Sequence, residues 1–255
     1  MSTHFKFRHW VLVIGQWFFV LGILAQPEPP PKPATLRFLF LDETPGAYSL
    51  KIERDFKQIS AAPYAISPPY VPAGLKSLDI YKTNPVPNPE TGAIERIKIA
   101  TLTPPANTTS ALVIITPRPV VPGSTTPPAY QVEFIDSNPT TFPGGAIRIL
   151  NRGQNAMAGR FSTEQVMVAP GAVKIIRPAF DERGRVRMRI AVQVQSGDNW
   201  KQVDRNVAIL RPDIRITGVL VHSPSGMRHL YDADTLLDQG VPPPGHAWLT
   251  YTDTP

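Results

Sequence analysis

The residues best suited to chemistry in this 255-residue chain gather near its C-terminal end. His222, His229 and His246 follow the last clear strand pattern, with Asp232, Asp234 and Asp238 among them. Imidazole and carboxylate are suitable ligands for a divalent transition metal, which makes His222, His229 and Asp232 the metal candidates. Their spacing argues otherwise. No H-x-x-x-H or H-E-x-x-H occurs, and Asp232-Ala233-Asp234 lacks the glycine-centred calcium loop. A polar strand end leading into a solvated tail accounts for the same residues, so no metal or other cofactor is expected.

Covalent chemistry has less to work with. Ser223-Pro224-Ser225-Gly226 contains serine and glycine without the G-x-S-x-G elbow that exposes a nucleophile. The acids Asp42-Glu43, Glu53 with Asp55, and Asp181-Glu182 sit at turn or strand-end signals, where carboxylates are usually solvated rather than converged on a sugar bond. The chain has no cysteine, which excludes thiolate nucleophiles, thiolate metal sites and disulfides. Pro143-Gly144-Gly145 and Ala169-Pro170-Gly171 read as turns and not as phosphate loops, because proline presets φ and glycine accepts positive φ. No catalytic residue is assigned.

Charge gives a different candidate. Arg185, Arg187 and Arg189 alternate along one strand face, with Arg183 before them and Arg177 upstream. A row of like charges needs water or an anionic counterpart. One reading is a solvated face that discourages edge pairing. The other is a cationic strip for an acidic glycan, a lipid headgroup or an acidic protein surface. Nucleic acid is not expected as a partner, since the strand carries no aromatic for base stacking and the net charge of +6 is spread along the chain. Tyr64, Tyr70, Tyr81, Tyr130 and Trp200 stand beside prolines or at strand ends, as a stacking platform or as core.

The elements that must position these residues are strands. Proline is 30 of 255 residues, about twice the usual share, and it breaks element interiors. In Arg185–Gln195, Val186, Met188, Ile190, Val192 and Val194 share one face, while arginine and glutamine hold most of the other. Such period-two alternation is what one buried and one solvated face produce. Ser196–Asn199 makes a turn, and Trp200–Leu210 returns as the second arm of a hairpin. Further strands are expected at 36–41, 48–53, 77–82, 95–101, 111–116, 130–135, 146–151, 165–168, 173–177 and 214–221. The fold class is all-β, as two tandem Ig-like sandwich halves over 35–122 and 127–223. Residues 224–255 are expected to form a last strand or turn and a mobile tail.

A duplication is suggested by four segment pairs in the same order. They are Leu36–Leu39 with Ile147–Leu150, Val71–Gly74 with Val168–Gly171, Arg96–Ala100 with Arg187–Ala191, and Ala111–Pro117 with Val207–Pro212. Upstream, a basic start is followed by the apolar run 10–25 and then QPEPPPKPA over 26–34. That order matches a signal peptide cleaved after Ala25, followed by a stiff polyproline-like linker. The apolar run is shorter than the ~20 residues that span a bilayer. Ile23, three residues before that cut, is bulkier than the usual small residue, so an uncleaved anchor is the alternative.

This succession of leader, proline linker, I-R-[IF]-L strand, A-P-G turn and R-[MI]-[RK]-I-A strand resembles uncharacterised exported β-sandwich proteins of bacteria. The resemblance covers 36–222 and carries no catalytic or binding residue. The expectation is an exported, periplasmic or extracellular, non-enzymatic binding or structural module whose partner is an envelope polymer or protein. Membrane contact is expected only if the leader stays attached. The alternatives are a hydrolase or metal-dependent enzyme using the His222/His229/Asp232 region, and a periplasmic scaffold anchored by its N-terminal helix.

Overall fold

A computed structural model describes residues 34–42, 46–52, 54–71, 77–84, 86–105, 108–118, 129–193, 199–222 and 245–254. The expected leader (1–25) and nearly all of the linker lie outside these residues. The described chain is all-β. Its strands are β1 (Thr35–Phe40), β2 (Ala47–Ile52), β3 (Asp55–Ile59), β4 (Leu78–Thr83), β5 (Arg96–Leu102), β6 (Ser110–Pro117) and β7 (Tyr130–Asp136). They continue with β8 (Ile147–Arg152), β9 (Met157–Phe161), β10 (Glu164–Val168), β11 (Val173–Ile176), β12 (Arg185–Gln193), β13 (Trp200–Ile209), β14 (Arg215–His222) and β15 (His246–Asp253).

Four sheets result. Sheet A has the order β1-β6-β7, sheet B β3-β2-β4-β5, sheet C β11-β8-β14-β15 and sheet D β10-β9-β12-β13. Three apolar clusters join them as layers. Leu36, Phe38, Phe40, Val113 and Ile115 of sheet A meet Tyr48, Leu50, Leu78, Ile80 and Leu102 of sheet B. The opposite face of sheet A (Leu39, Leu112, Ile114, Ile135) meets Leu150, Val219, Val221 and Ala247 of sheet C. Sheet C turns Ile147, Ile149, Ile216, Leu220 and Trp248 toward Val186, Met188, Ile190 and Val192 of sheet D.

Burial on two sides explains the inner strands. Residues 111–115 of β6 (ALVII) and 219–221 of β14 (VLV) are apolar at consecutive positions, because successive side chains enter different cores. Each also runs parallel to a neighbour, β6 to β1 and β14 to β8. β12, in a sheet with only one covered face, instead alternates buried and exposed along its length, as its sequence requires. Pro117 ends β6 two residues beyond Ile115, the last residue paired with β1, so its missing N–H leaves no ladder bond unmade.

Several expectations change. β7 pairs with β6, so 130–136, expected in the second half, lies in one sheet with β1 and β6. The tail is not free throughout, since His246–Asp253 pairs with the whole of β14; residues 223–244 lie outside the described ones. Strands β3 and β9 were not expected. Of the four segment pairs, only 36–39 and 147–150 occupy comparable places, each on a strand with a parallel neighbour. Residues 96–100 lie on edge strand β5 while 187–191 lie inside sheet D, and 111–117 is β6 while 207–209 ends β13. Residues 72–74 are not described. Gly145 and Gly171 have φ of 71° and 75°, as the two glycine turns require.

Glycine is also required inside β14. A Cβ at Gly218 would lie 2.0 Å from Cζ2 and 2.2 Å from Cη2 of Trp248, which crosses it from β15. Gly218→Ala should therefore cost about 2–3 kcal/mol by forcing that buried indole out of place. Urea unfolding followed by tryptophan fluorescence measures this, and an unchanged midpoint would show that the ring has room to move.

Candidate functional site

The outward face of sheet D is built from the alternation of β12 and the register of its neighbours. Arg189 pairs with Arg160 of β9 on one side and with Arg205 of β13 on the other. Three guanidinium-bearing residues thus form a row across three strands. Arg187, two residues along, points to the same side, opposite Val207. Arg160, Ser162, Arg187, Arg189, Arg205 and Asn206 line an open trough of about 730 Å³. Like charges in directly opposed positions repel, so this row is held together by the core behind it, where Met188, Ile190 and Val192 are buried.

The candidate arginines are not equivalent. Arg185 donates to Asp181 Oδ2 at 2.7 Å, and backbone N–H groups of Arg183 and Arg185 donate to Oδ1 at 2.9 Å each. These bonds, that from the Arg185 backbone foremost, hold the Asp181 carboxyl below its ordinary range. The charge of Arg185 is therefore answered locally. Arg160, Arg187 and Arg189 make no ion pair among the described residues. Arg160 donates from Nε to Ser162 O at 3.2 Å, which orients it along the trough. Met167, Val207 and Ile209 on the same face are each more than half exposed, so the cations are flanked by apolar surface.

Behind the row, Asp204 is buried where the β12–β13 register shifts, and its Oδ2 has no hydrogen-bond partner among the described residues. Burial pushes its carboxyl up to about 6 from 3.8. The native state then holds this proton more tightly than the unfolded chain. The resulting stabilisation is complete below about pH 4 and lost as pH rises through about 6, a decline of about 2–3 kcal/mol. Asp204→Asn should flatten that decline, as read from urea midpoints across the interval; an undiminished slope would assign it to other groups.

The other sequence candidates fare differently. His222 pairs with His246 across β14 and β15, with ring centroids 4.8 Å apart. His229 and Asp232 lie outside the described residues, as do Asp234, Asp238 and Ser223–Gly226. Among the described residues no three His, Cys, Asp or Glu side chains group to hold a metal ion.

Tyr64 and Tyr70 are core residues, and Tyr70 Oη accepts from Ser60 N at 2.7 Å. Tyr81 lies edge-on to Phe56, whose face carries Arg96 at 4.6 Å. Asp42, expected to be solvated, is buried. Its Oδ2 accepts from Tyr48 and Tyr130 at 2.8 Å and from Lys82 Nζ at 2.7 Å. Burial, and the carboxylate beside them, raise both tyrosines above their ordinary value. These bonds tie the strand end after β1 to β2, β4 and β7, a structural use of the acid.

Arg160 and Arg205 were not identified from the sequence. Arg160 lies on the five-residue MAGRF strand, too short and glycine-broken to reveal a face, and Arg205 follows the register shift that displaces the alternation of β13. No protein-family profile matches the chain, and no curated protein matches it significantly.

Proposed function

We propose that this chain is an exported, non-enzymatic binding module of the bacterial envelope or exterior, holding an anionic polymer or acidic protein surface against sheet D. The observation that carries the reading is the cross-strand row Arg160–Arg189–Arg205, with Arg187 beside it. Neighbouring cations raise each other's energy, and an anion laid along the row offsets that cost. Exposed Met167, Val207 and Ile209 add apolar contact on the same surface. Arg185, held by Asp181, becomes a rim residue, while Arg187 and Arg189 carry the contact. The leader-like residues 1–25 and the proline linker support export. Membrane contact enters only if the leader is retained.

The body reads as two tandem Ig-like halves arisen by duplication. Sheets B and D share one pattern of neighbours, and both shift register at the same place, after Ile80 in β4 and after Ile190 in β12. The antiparallel bridges of Ile66 and Tyr70 to β1 stand where β11 stands beside β8.

A polyuronate, as an anionic polymer, and polyglutamate, as an acidic polypeptide, are suitable probes. The chain should bind one of them with an affinity that falls steeply with salt. The double variant Arg187→Gln/Arg189→Gln should weaken binding by about tenfold or more and lower the salt dependence. Equal binding by the variant would overturn the assignment of this face.

A further inference from the structure

A second cationic site lies between sheets A and C, away from the outward face of sheet D. Arg37 of β1, Ser137 after β7, Arg148 of β8, Thr217 of β14, and Thr250 and Thr252 of β15 are among the residues lining a cleft of about 260 Å³. Arg148 is only 3% exposed. Its Nη1 donates to Asp136 O at 3.0 Å and Ser137 Oγ at 2.9 Å, and its Nε and Nη2 both donate to Thr217 Oγ1 at 3.3 and 3.0 Å. A guanidinium has five N–H donors, so one Nη2 proton has no acceptor among the described residues. Thr217 Oγ1 accepts twice from Arg148, which frees its own hydroxyl proton to donate elsewhere.

Charge in the cleft is out of balance. Arg148 bonds to no carboxylate; its partners are a carbonyl and two hydroxyls. Burial, and after it the neighbouring Arg215 charge, bring Arg148 down to about 10 against the opposing influence of the Asp253 and Asp136 carboxylates. Asp253 lines the same cleft, but both its oxygens are taken, Oδ1 by Arg37 at 2.9 Å and Oδ2 by Arg215 at 3.0 Å. Among the described residues, two of the three guanidinium groups therefore bond the same carboxylate and the third bonds none. The Asp253 and Asp136 carboxylates favour that charge from a distance without bonding to Arg148, so a direct charge-assisted bond is left for an anion to supply.

We infer that this cleft is a binding site for a small tetrahedral oxyanion of the phosphate or sulfate class. The free Nη2 proton of Arg148, the partly exposed guanidinium of Arg37 and the Thr217 hydroxyl provide donors from three strands. Three donors from three strands can each meet a separate oxygen of such an anion, whereas a carboxylate offers only two oxygens.

The test is calorimetric titration of inorganic phosphate, sulfate and acetate into the chain, with sodium chloride holding ionic strength fixed. Saturable binding of phosphate or sulfate is expected, with acetate weaker by about tenfold. Arg148→Gln should abolish it, but that variant risks misfolding. Thr217→Val, which keeps side-chain volume, and Arg37→Gln, at the cleft mouth, should each weaken the oxyanion by about fivefold or more with the circular dichroism unchanged. Arg187→Gln/Arg189→Gln should leave phosphate affinity intact. Absence of saturable binding, acetate as tight as phosphate, unaltered affinity in both Thr217→Val and Arg37→Gln, or loss in the sheet D variant would each overturn the inference.

Discussion

Arg215→Ala is expected to lower the unfolding free energy by about 3–5 kcal/mol, because it breaks a buried ion pair from one side. The Arg215 side chain is buried at the start of β14. Its Nε and Nη2 donate to Asp253 Oδ2 at the end of β15, and its Nη1 donates to Ser137 O and Phe142 O in the connection between β7 and β8. The guanidinium also lies 5.1 Å from the centre of the Phe142 ring. One residue thus ties the closing strand of sheet C to the segment joining the first seven strands to the rest. Alanine would strand two buried carbonyls and leave Asp253 to Arg37 alone. Arg215→Lys, which keeps the charge and loses the fork, should fall between alanine and wild type. Urea unfolding measures both, and a loss below about 1 kcal/mol for alanine would show that the connection is held by packing alone.

Asp42→Ala should be of comparable size, about 3–5 kcal/mol. It removes the shared acceptor of Lys82 Nζ and the Tyr48 and Tyr130 hydroxyls. Tyr48 lies within the first core, stacked on Phe40 at 3.6 Å, so its hydroxyl has little freedom to find water. Removing the charge from both sides separates the pair from the packing. Asp42→Ala with Lys82→Met should be less destabilised than the sum of the two single variants, since no uncompensated ammonium remains. Strict additivity would mean that Asp42 and Lys82 act independently.

The sequence revealed strands more readily than their partners. β12 was legible to its faces because one side meets a core and the other meets water. The inner strands announced themselves as apolar runs, but a run does not say which sheet lies on which side. β15 has a readable alternation, Ala247, Leu249 and Tyr251 against Trp248. It was obscured by the proline-rich stretch before it and by a partner, β14, distant in the chain. β3 buries only Ile59 and so shows no alternation, and β9 places a glycine at its central inward position, which breaks the apolar pattern.

The same limit governs the candidate site. Arg187 and Arg189 were visible because they share a strand, whereas the row they join depends on cross-strand register. Asp42 looked like a turn carboxylate because its partners lie on β2, β4 and β7, and none of them is adjacent in sequence. The place of β7 is hidden for a related reason, since only its pairing with β6 joins it to sheet A. Local pattern tells which way a side chain faces, and long-range pairing decides what it meets.

The most direct test of the binding account follows the arginine Nε–H resonances by nuclear magnetic resonance while a polyuronate or polyglutamate is added at low salt. The resonances of Arg160, Arg187 and Arg189 should shift or broaden together and saturably, with Arg185 affected less and the exposed Arg96 of sheet B unmoved. Unchanged signals from the sheet D arginines with either probe, or larger changes at Arg96, would contradict it.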